Sequence, residues 1–352
     1  MNSRERMLCA INHQPVDRIP TDIWCTGEVS QLLVQHFGSW ETVLAELHID
    51  RFASAGPLPY IGPHIPQDPG NDWVDFWGVG FKAMRYDTGV YNEQSRFPLA
   101  GMTTIDELAA YPWPSTDWFD YSQLRDGALA GRETHAVQCG YMTAFYYHNL
   151  LRGLEQSLLD PLDDADFTRY LLQRMCDFLY EHHRSIFEAC EGCIDVAQLA
   201  DDFGCQHGPL ISLDTFREFY RPHMQRFIDL CHEFGIKVLH HDDGAIRPFL
   251  PDFVEMGIDI LNPVQWNCPG MELDALKREF GTQFCFHGAV ENQRILPFGT
   301  PEEVRAEVRK NIDILAADGT GYILASCHSL QPITPIENII AMYDEAHRYG
   351  RL

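Results

Sequence analysis

The chain has 352 residues, 45% of them hydrophobic and 22% charged, which is enough for one large globular domain. Its 51 acidic and 26 basic residues leave a formal charge of −25, a surface that repels phosphate backbones and anionic lipids and argues against nucleic-acid or membrane binding. No uninterrupted apolar run approaches the ~18 residues needed to span a bilayer, and the opening MNSRERMLCAINHQP lacks a signal peptide's apolar core, so a cytoplasmic location is expected.

In chain order, RIPTDIW reads as a first strand. Residues from about 55 to 128 then break any rhythm: they are rich in Pro, Gly and Trp, with a hairpin expected through Asp75 to Val79 and Phe81 to Arg85. We read this stretch as an insertion that covers one mouth of the domain, its aromatic side chains lining a substrate entrance. From about residue 130, β-branched runs alternate with helical stretches: THAVQCG, a helix around Asp166 to Cys190, IDVAQLADD, and a helix from about Asp214 to Glu233 that Pro222 should kink. The series continues through KVLHHDDG, a helix near Pro248 to Met256, IDILNPV, a helix near Leu273 to Phe280, and QFCFHGAV. It ends with a helix opened by the capping box Thr300-Pro301-Glu302-Glu303, GYILASC, and a last helix after Pro335. Repeated β-α units mean parallel strands with right-handed crossovers, and counting about eight strands favours a single (β/α)8 barrel over residues 1–352. No GxGxxG or Walker A segment follows a strand, which lowers dinucleotide and nucleotide readings.

In such a barrel the functional groups gather at the carboxyl ends of the strands. Those positions here hold Cys139, Asp201, Asp202, His240, His241, Asp242, Asp243, Asn262, Gln265, His287, Glu291, Cys327 and His328. Imidazole, carboxylate and thiol without a glycine-rich loop suit a metal better than a phosphate. His241 and Asp243, one residue apart, point to the same side and can share an ion, and Cys327 from another strand end is the expected third ligand. Three protein ligands leave a position open for substrate, as in catalytic zinc sites.

Plainer readings stand beside these. Asp242 and Asp243 could cap a turn, His240 should point away from His241, Cys327 could be a buried thiol, and Asp201 and Asp202 could simply end a strand. Cys190 and Cys193 have zinc spacing but read as structural, and Tyr141, Phe145 and Tyr146 as core. The eleven cysteines, an odd and scattered set, do not form a disulfide framework.

The runs LADDFGCQHGPLIS, HHDDGAIRPFLPDFVEMGIDILNPVQ, FHGAVENQRILPFGTPEEVRAEV and SCHSLQPITPIENIIAMYDEA resemble the uroporphyrinogen decarboxylase superfamily. The resemblance implies a (β/α)8 barrel and two kinds of activity. One is metal-free decarboxylation of a tetrapyrrole or other polycarboxylate, which uses an N-terminal arginine segment of the RQAGR type; here RIPTDIW is followed by CTGEVSQLL, without that arginine. The other is similar to methylcobalamin:coenzyme M methyltransferases, with zinc on a His-x-Cys pair and a distant Cys and with cobalamin carried by a separate corrinoid protein. His241 and Cys327 match that pattern, and Asp243 replaces the first cysteine.

A harder donor set favours an O-methyl over a thiol substrate as the small-molecule methyl donor or acceptor. The resemblance thus implies a zinc-dependent methyltransferase. His240, His287 or Glu291 would move the proton, and Asp201, Asp202, Asn262, Gln265 and Tyr141 would bind substrate. A corrinoid protein would be the partner, and a homodimer is allowed.

Overall fold

The structure is a computed structural model that describes residues 1–86 and 89–351. Its strands, numbered in chain order, are β1 (Phe52–Ser54), β2 (Trp73–Val74), β3 (Gly80–Tyr86), β4 (Gly89–Arg96), β5 (Ala136–Met142), β6 (Val196–Ala200), β7 (Lys237–His241), β8 (Ile260–Asn262), β9 (Cys285–Val290) and β10 (Tyr322–Ser326). Seven of them form one parallel sheet in the order β1-β5-β6-β7-β8-β9-β10, and β2, β3 and β4 form a separate antiparallel sheet. From β5 onward each strand pairs with the next in sequence through a helical crossover, which curls the sheet in one direction.

The RIPTDIW segment links the two edges of the curl. The Leu324 amide donates to Pro20 O at 2.9 Å and the Asp22 amide to Leu324 O at 3.0 Å, while the Asp50 and Arg51 amides both donate to Thr21 O. Residues 20–22 thus run beside β10 and touch the residues just before β1.

Strand alternation sorts side chains into two layers. Ala136, Val196, Leu239, Ile260, Cys285 and Ile323 face inward, where Met7, Ala10 and Ile11 of helix Ser3–Ile11 plug the amino ends. Val238, Leu261, Phe286 and Leu324 face outward into the apolar layer beneath the helices. This parity fixes where every strand-end group points.

The helices follow their expected local chemistry. Pro301–Leu315 starts with the capping box, Thr300 N donating to Glu303 Oε2 at 2.7 Å and Glu303 N to Thr300 Oγ1 at 3.3 Å. Ahead of Pro222 the chain makes a wider π turn over Phe216–Tyr220 and restarts as Arg221–Glu233, so the missing proline N–H is absorbed by that turn.

Residues 55–128 depart from the expectation. They contain the antiparallel sheet, with β2 and β3 joined through Asp75 to Val79, but none of them lines the two cavities at the strand ends, and three of their aromatic side chains pack against the helix Ala165–Cys190. Phe76, Trp77 and Phe119 lie 6.3, 5.1 and 6.3 Å from Phe178, ring to ring. Burying a large ring stabilises by roughly 1.5–3 kcal/mol relative to exposure, and the helix offers the apolar surface to do so. Among the described residues, helices meet no length and hydropathy requirement for crossing a membrane.

Candidate metal centre at the strand ends

β7 ends in His240-His241 and the alternation runs on through Asp242 and Asp243. His241 and Asp243 therefore face the interior at the carboxyl ends of the strands, while His240 and Asp242 face the helices. The loop after β7 holds Asp243 firmly: its amide donates to Asp202 Oδ1 at 3.1 Å, and the Gly244 amide donates to Gln265 Oε1 at 2.9 Å. Gly244 has φ +88°, and a Cβ there would lie 2.6 Å from Cys205 O, so both the turn and the close approach require glycine.

One donor atom each from His241, Asp243 and His328 lie within 4.8 Å of one another. His241 Nε2 is 3.9 Å from Asp243 Oδ2, and His328 Nε2 is 3.7 Å from the same oxygen. Asp202 Oδ1 also lies 3.9 Å from His241 Nε2. Burial pushes the Asp243 carboxyl up and the two histidines oppose that shift; burial lowers His328 and Asp243 opposes it. Two imidazoles and one or two carboxylates converging on a small volume suit a divalent transition metal, zinc among them.

Two cavities open beside these groups. One, about 310 Å³, is lined by Asp243, Gln265, Asn292, Gln293, Cys327 and His328 among others. The other, about 280 Å³, is walled by Trp24, Phe52, Ser54, Gln138, Gly140 and Gln198, with Gln138 Nε2 donating to Gln198 Oε1 at 3.1 Å. Trp24 walls the second and lies 5.5 Å, ring to ring, from His241. No Lys or Arg side chain is among the described lining residues of either cavity, and none of the lining comes from residues 55–128.

The expected residues divide by this geometry. His241, Asp243 and Asp202 meet, and Gln265 and Cys327 line the same cavity. The Cys327 thiol does not belong to the close trio; its Sγ faces Val264 O at 3.6 Å, and burial first, then Asp243 and Glu291, raise it well above the ordinary thiol range. His328 takes the third position instead.

Asn262 and His287 stand behind His241 on the same inward face, in contact with it and with Asp22. His241 Nδ1 is 2.6 Å from Asn262 Oδ1, Asn262 Nδ2 is 2.6 Å from His287 Nδ1, and His287 Nε2 is 3.0 Å from Asp22 Oδ2.

Besides Cys327, four further expected residues are not brought to the trio. His240 is fully buried on the outer face, edge-on to Phe253 at 4.6 Å, and burial lowers its pKa to about 3. Glu291 accepts the Gln293, Arg294 and Ile295 amides, which caps helix Ile295–Phe298. Asp201 likewise caps helix Phe145–Arg152, accepting the Phe145 and Tyr146 amides at 2.7 and 2.9 Å and the Thr143 hydroxyl; burial still raises it to about 7. Tyr141 is partly exposed in the irregular stretch of β5 and packs edge-on against Tyr146.

Sequence reasoning missed Asp22, Trp24, Gln138 and Gln198, and left His328 unassigned. Asp22 was within reach: it is the one carboxylate in RIPTDIW, the segment expected as a first strand, which the structure shows only as isolated bridges such as Thr21 to Leu324.

Comparison with known proteins adds family context. A family model described as uroporphyrinogen decarboxylase (URO-D) matches residues 143–349, more than half of the chain. Curated relatives named uroporphyrinogen decarboxylase include one from Anaeromyxobacter sp. (strain Fw109-5), 27% identical over 44% of this chain and 42% of its own length. Another, from Dechloromonas aromatica (strain RCB), is 23% identical over 41% of this chain and 40% of its own. The matched part thus spans less than half the length of these relatives. A solved structure described as a methyltransferase from Methanosarcina mazei superposes with a TM-score of 0.69 at 18% identity, covering 99% of each chain, a likeness of fold.

Proposed function

The chain belongs to the uroporphyrinogen decarboxylase family, and from that membership we propose that it is a zinc-dependent methyltransferase. It would move a methyl group between a small O-methyl or thiol substrate and the cobalamin of a separate corrinoid protein. The observation that carries the reading is the convergence of His241, Asp243 and His328 at the open end of the curled sheet, which we take as a (β/α)8 barrel closed through residues 20–22. These residues fit the metal, since two imidazoles and a carboxylate are common zinc donors and three protein ligands leave a coordination position open. A bound zinc ion would supply Lewis acidity to the heteroatom that carries or releases the methyl group.

The chain's own residues do the rest. Asp202 holds the Asp243 loop, Gln265 holds Gly244, and Trp24 with Phe52 offers an apolar wall against which a substrate can be oriented. Gln138, Gln198 and Ser54 provide neutral hydrogen-bonding groups. The alternative, a metal-free decarboxylase acting on a tetrapyrrole or other polycarboxylate, is favoured by the names of the curated relatives. Against it, acetate arms entering the first cavity would meet Asp243, and neither cavity has a Lys or Arg side chain among its described lining to hold them.

Metal analysis of the purified protein tests the reading. We expect one zinc per chain, lost in His241→Ala and Asp243→Ala. Loss in His328→Ala with retention in Cys327→Ala gives the third ligand to His328, and the reverse gives it to Cys327. Zinc retained in all four, with turnover of uroporphyrinogen, would replace this reading by the decarboxylase.

A further inference from the structure

The geometry points to Asp22 as a positioning residue that fixes, through His287 and Asn262, which nitrogen of His241 carries a proton. The role deepens the metal reading, although the chain of hydrogen bonds exists without it.

The direction of that chain follows from its end. Asp22 already accepts two N–H bonds, from the Ile23 amide at Oδ1 (2.9 Å) and the Trp24 indole at Oδ2 (3.0 Å). An ionised carboxylate only accepts, so the third contact is a donation from His287 Nε2–H at 3.0 Å. With its proton on Nε2, the His287 ring presents a lone pair at Nδ1, which can take only a donor, and the Asn262 amide nitrogen stands there at 2.6 Å. The same amide therefore turns its oxygen to His241, where Nδ1–H donates at 2.6 Å. His241 is left with its lone pair on Nε2, the nitrogen that faces Asp243 and Asp202 at 3.9 Å. A carboxylate at one end thus sets a lone pair at the other, three side chains away.

The parts come from separate staves on one level. Asp22 lies beside β10, His287 on β9, Asn262 on β8 and His241 on β7, and the register pairs His241 directly with Asn262. All four side chains are nearly or fully buried, so water does not compete for these contacts. In the alternative tautomer, Nε2–H of His241 would point at two carboxylates and offer nothing to a metal. A buried partner that holds an imidazole in its ligating tautomer typically changes metal affinity about 10–100-fold.

The test is read first on the metal-free protein. The full chain is labelled with ¹⁵N-histidine, stripped with a chelator, and examined by long-range ¹H–¹⁵N correlation at neutral pH. His241 and His287 are assigned through His241→Gln and His287→Gln. We expect a single Nδ1–H tautomer for His241 and a single Nε2–H tautomer for His287; Nε2–H on His241 overturns the proposal, whatever the fate of any variant. In Asp22→Asn, both rings should become tautomer mixtures and zinc affinity, by competition with a chromophoric chelator, should fall about 10–100-fold. Unchanged tautomers in Asp22→Asn likewise overturn it. A wild-type protein that binds no zinc but shows the expected tautomers removes the metal reading and leaves the hydrogen-bonded relay standing.

Discussion

The sequence His240-His241-Asp242-Asp243 writes one pair of residue types twice, one position apart, and the fold gives the two copies different environments. The outer pair, His240 and Asp242, is sealed beneath the helices. Both His240 nitrogens and Asp242 Oδ2 lack hydrogen-bond partners, and His240 Nε2 lies 3.4 Å from that oxygen. Burial holds the histidine neutral and raises Asp242 well above the carboxylate range. The inner pair, His241 and Asp243, meets His328 beside a cavity and is braced from behind by Asn262. Residue type alone does not make a site. Strand parity decides which copy reaches an opening and which becomes a buried polar defect.

The largest expected effect breaks the comparison most directly. His241→Ala should reduce zinc affinity by at least about 100-fold, because it removes a ligand, whereas His240→Ala should leave affinity unchanged within about twofold. Chelator competition measures both. Equal losses in the two variants would mean that the strand is offset by one residue, so that parity has been read the wrong way round.

Much of this was legible beforehand. The β-α rhythm from about residue 130, the capping box at Thr300 and the shared side of His241 and Asp243 all follow from local rules that the packing does not override. The destination of the aromatic residues at 55–128 was not, since composition reveals that rings will be buried but not against which helix. Cys327 and His328 are adjacent, and only the backbone path out of β10 decides which of them reaches Asp243. Glu291 and Asp201 carry the right chemistry at strand ends, yet both are consumed by helix amides, Glu291 by the helix that follows it and Asp201 by the helix after the neighbouring strand β5, a use that residue type cannot distinguish from catalysis.

A smaller effect sharpens the outer half of the comparison. The folded pKa of His240 is lowered to about 3 from 6.5, so between those values the unfolded chain binds a proton here that the native chain does not. Stability from this position is therefore complete above about pH 6.5 and declines as pH falls toward 3, by on the order of 1 kcal/mol per pH unit. His182, His183 and His223 are lowered too and contribute in the same sense, so the readout is the difference between wild type and His240→Leu. Urea midpoints over pH 4 to 7 should show the variant flatter and, at neutral pH, more stable by about 1–3 kcal/mol, since two unpartnered buried nitrogens are gone. Parallel curves would show that His240 finds a proton partner in the fold.

The smallest effect concerns the boundary of the inner group. Asp202 lies as close to His241 Nε2 as Asp243 does, but its side chain is 44% exposed and its Oδ1 already accepts the Asp243 amide. A charge so placed raises affinity mainly through a field that water and salt screen, whereas a ligand acts through a bond. Asp202→Asn keeps a carbonyl to accept the Asp243 amide and removes only the charge, so zinc affinity should fall about two- to fivefold, and less at high salt. Asp202→Ala also releases the loop and should cost more than Asp202→Asn. If Asp202→Asn instead abolishes binding at every salt concentration, Asp202 is itself a ligand. The inner site would then be built across β6 and β7 as well as the β10 loop, and the HHDD run would supply only half of its carboxylates.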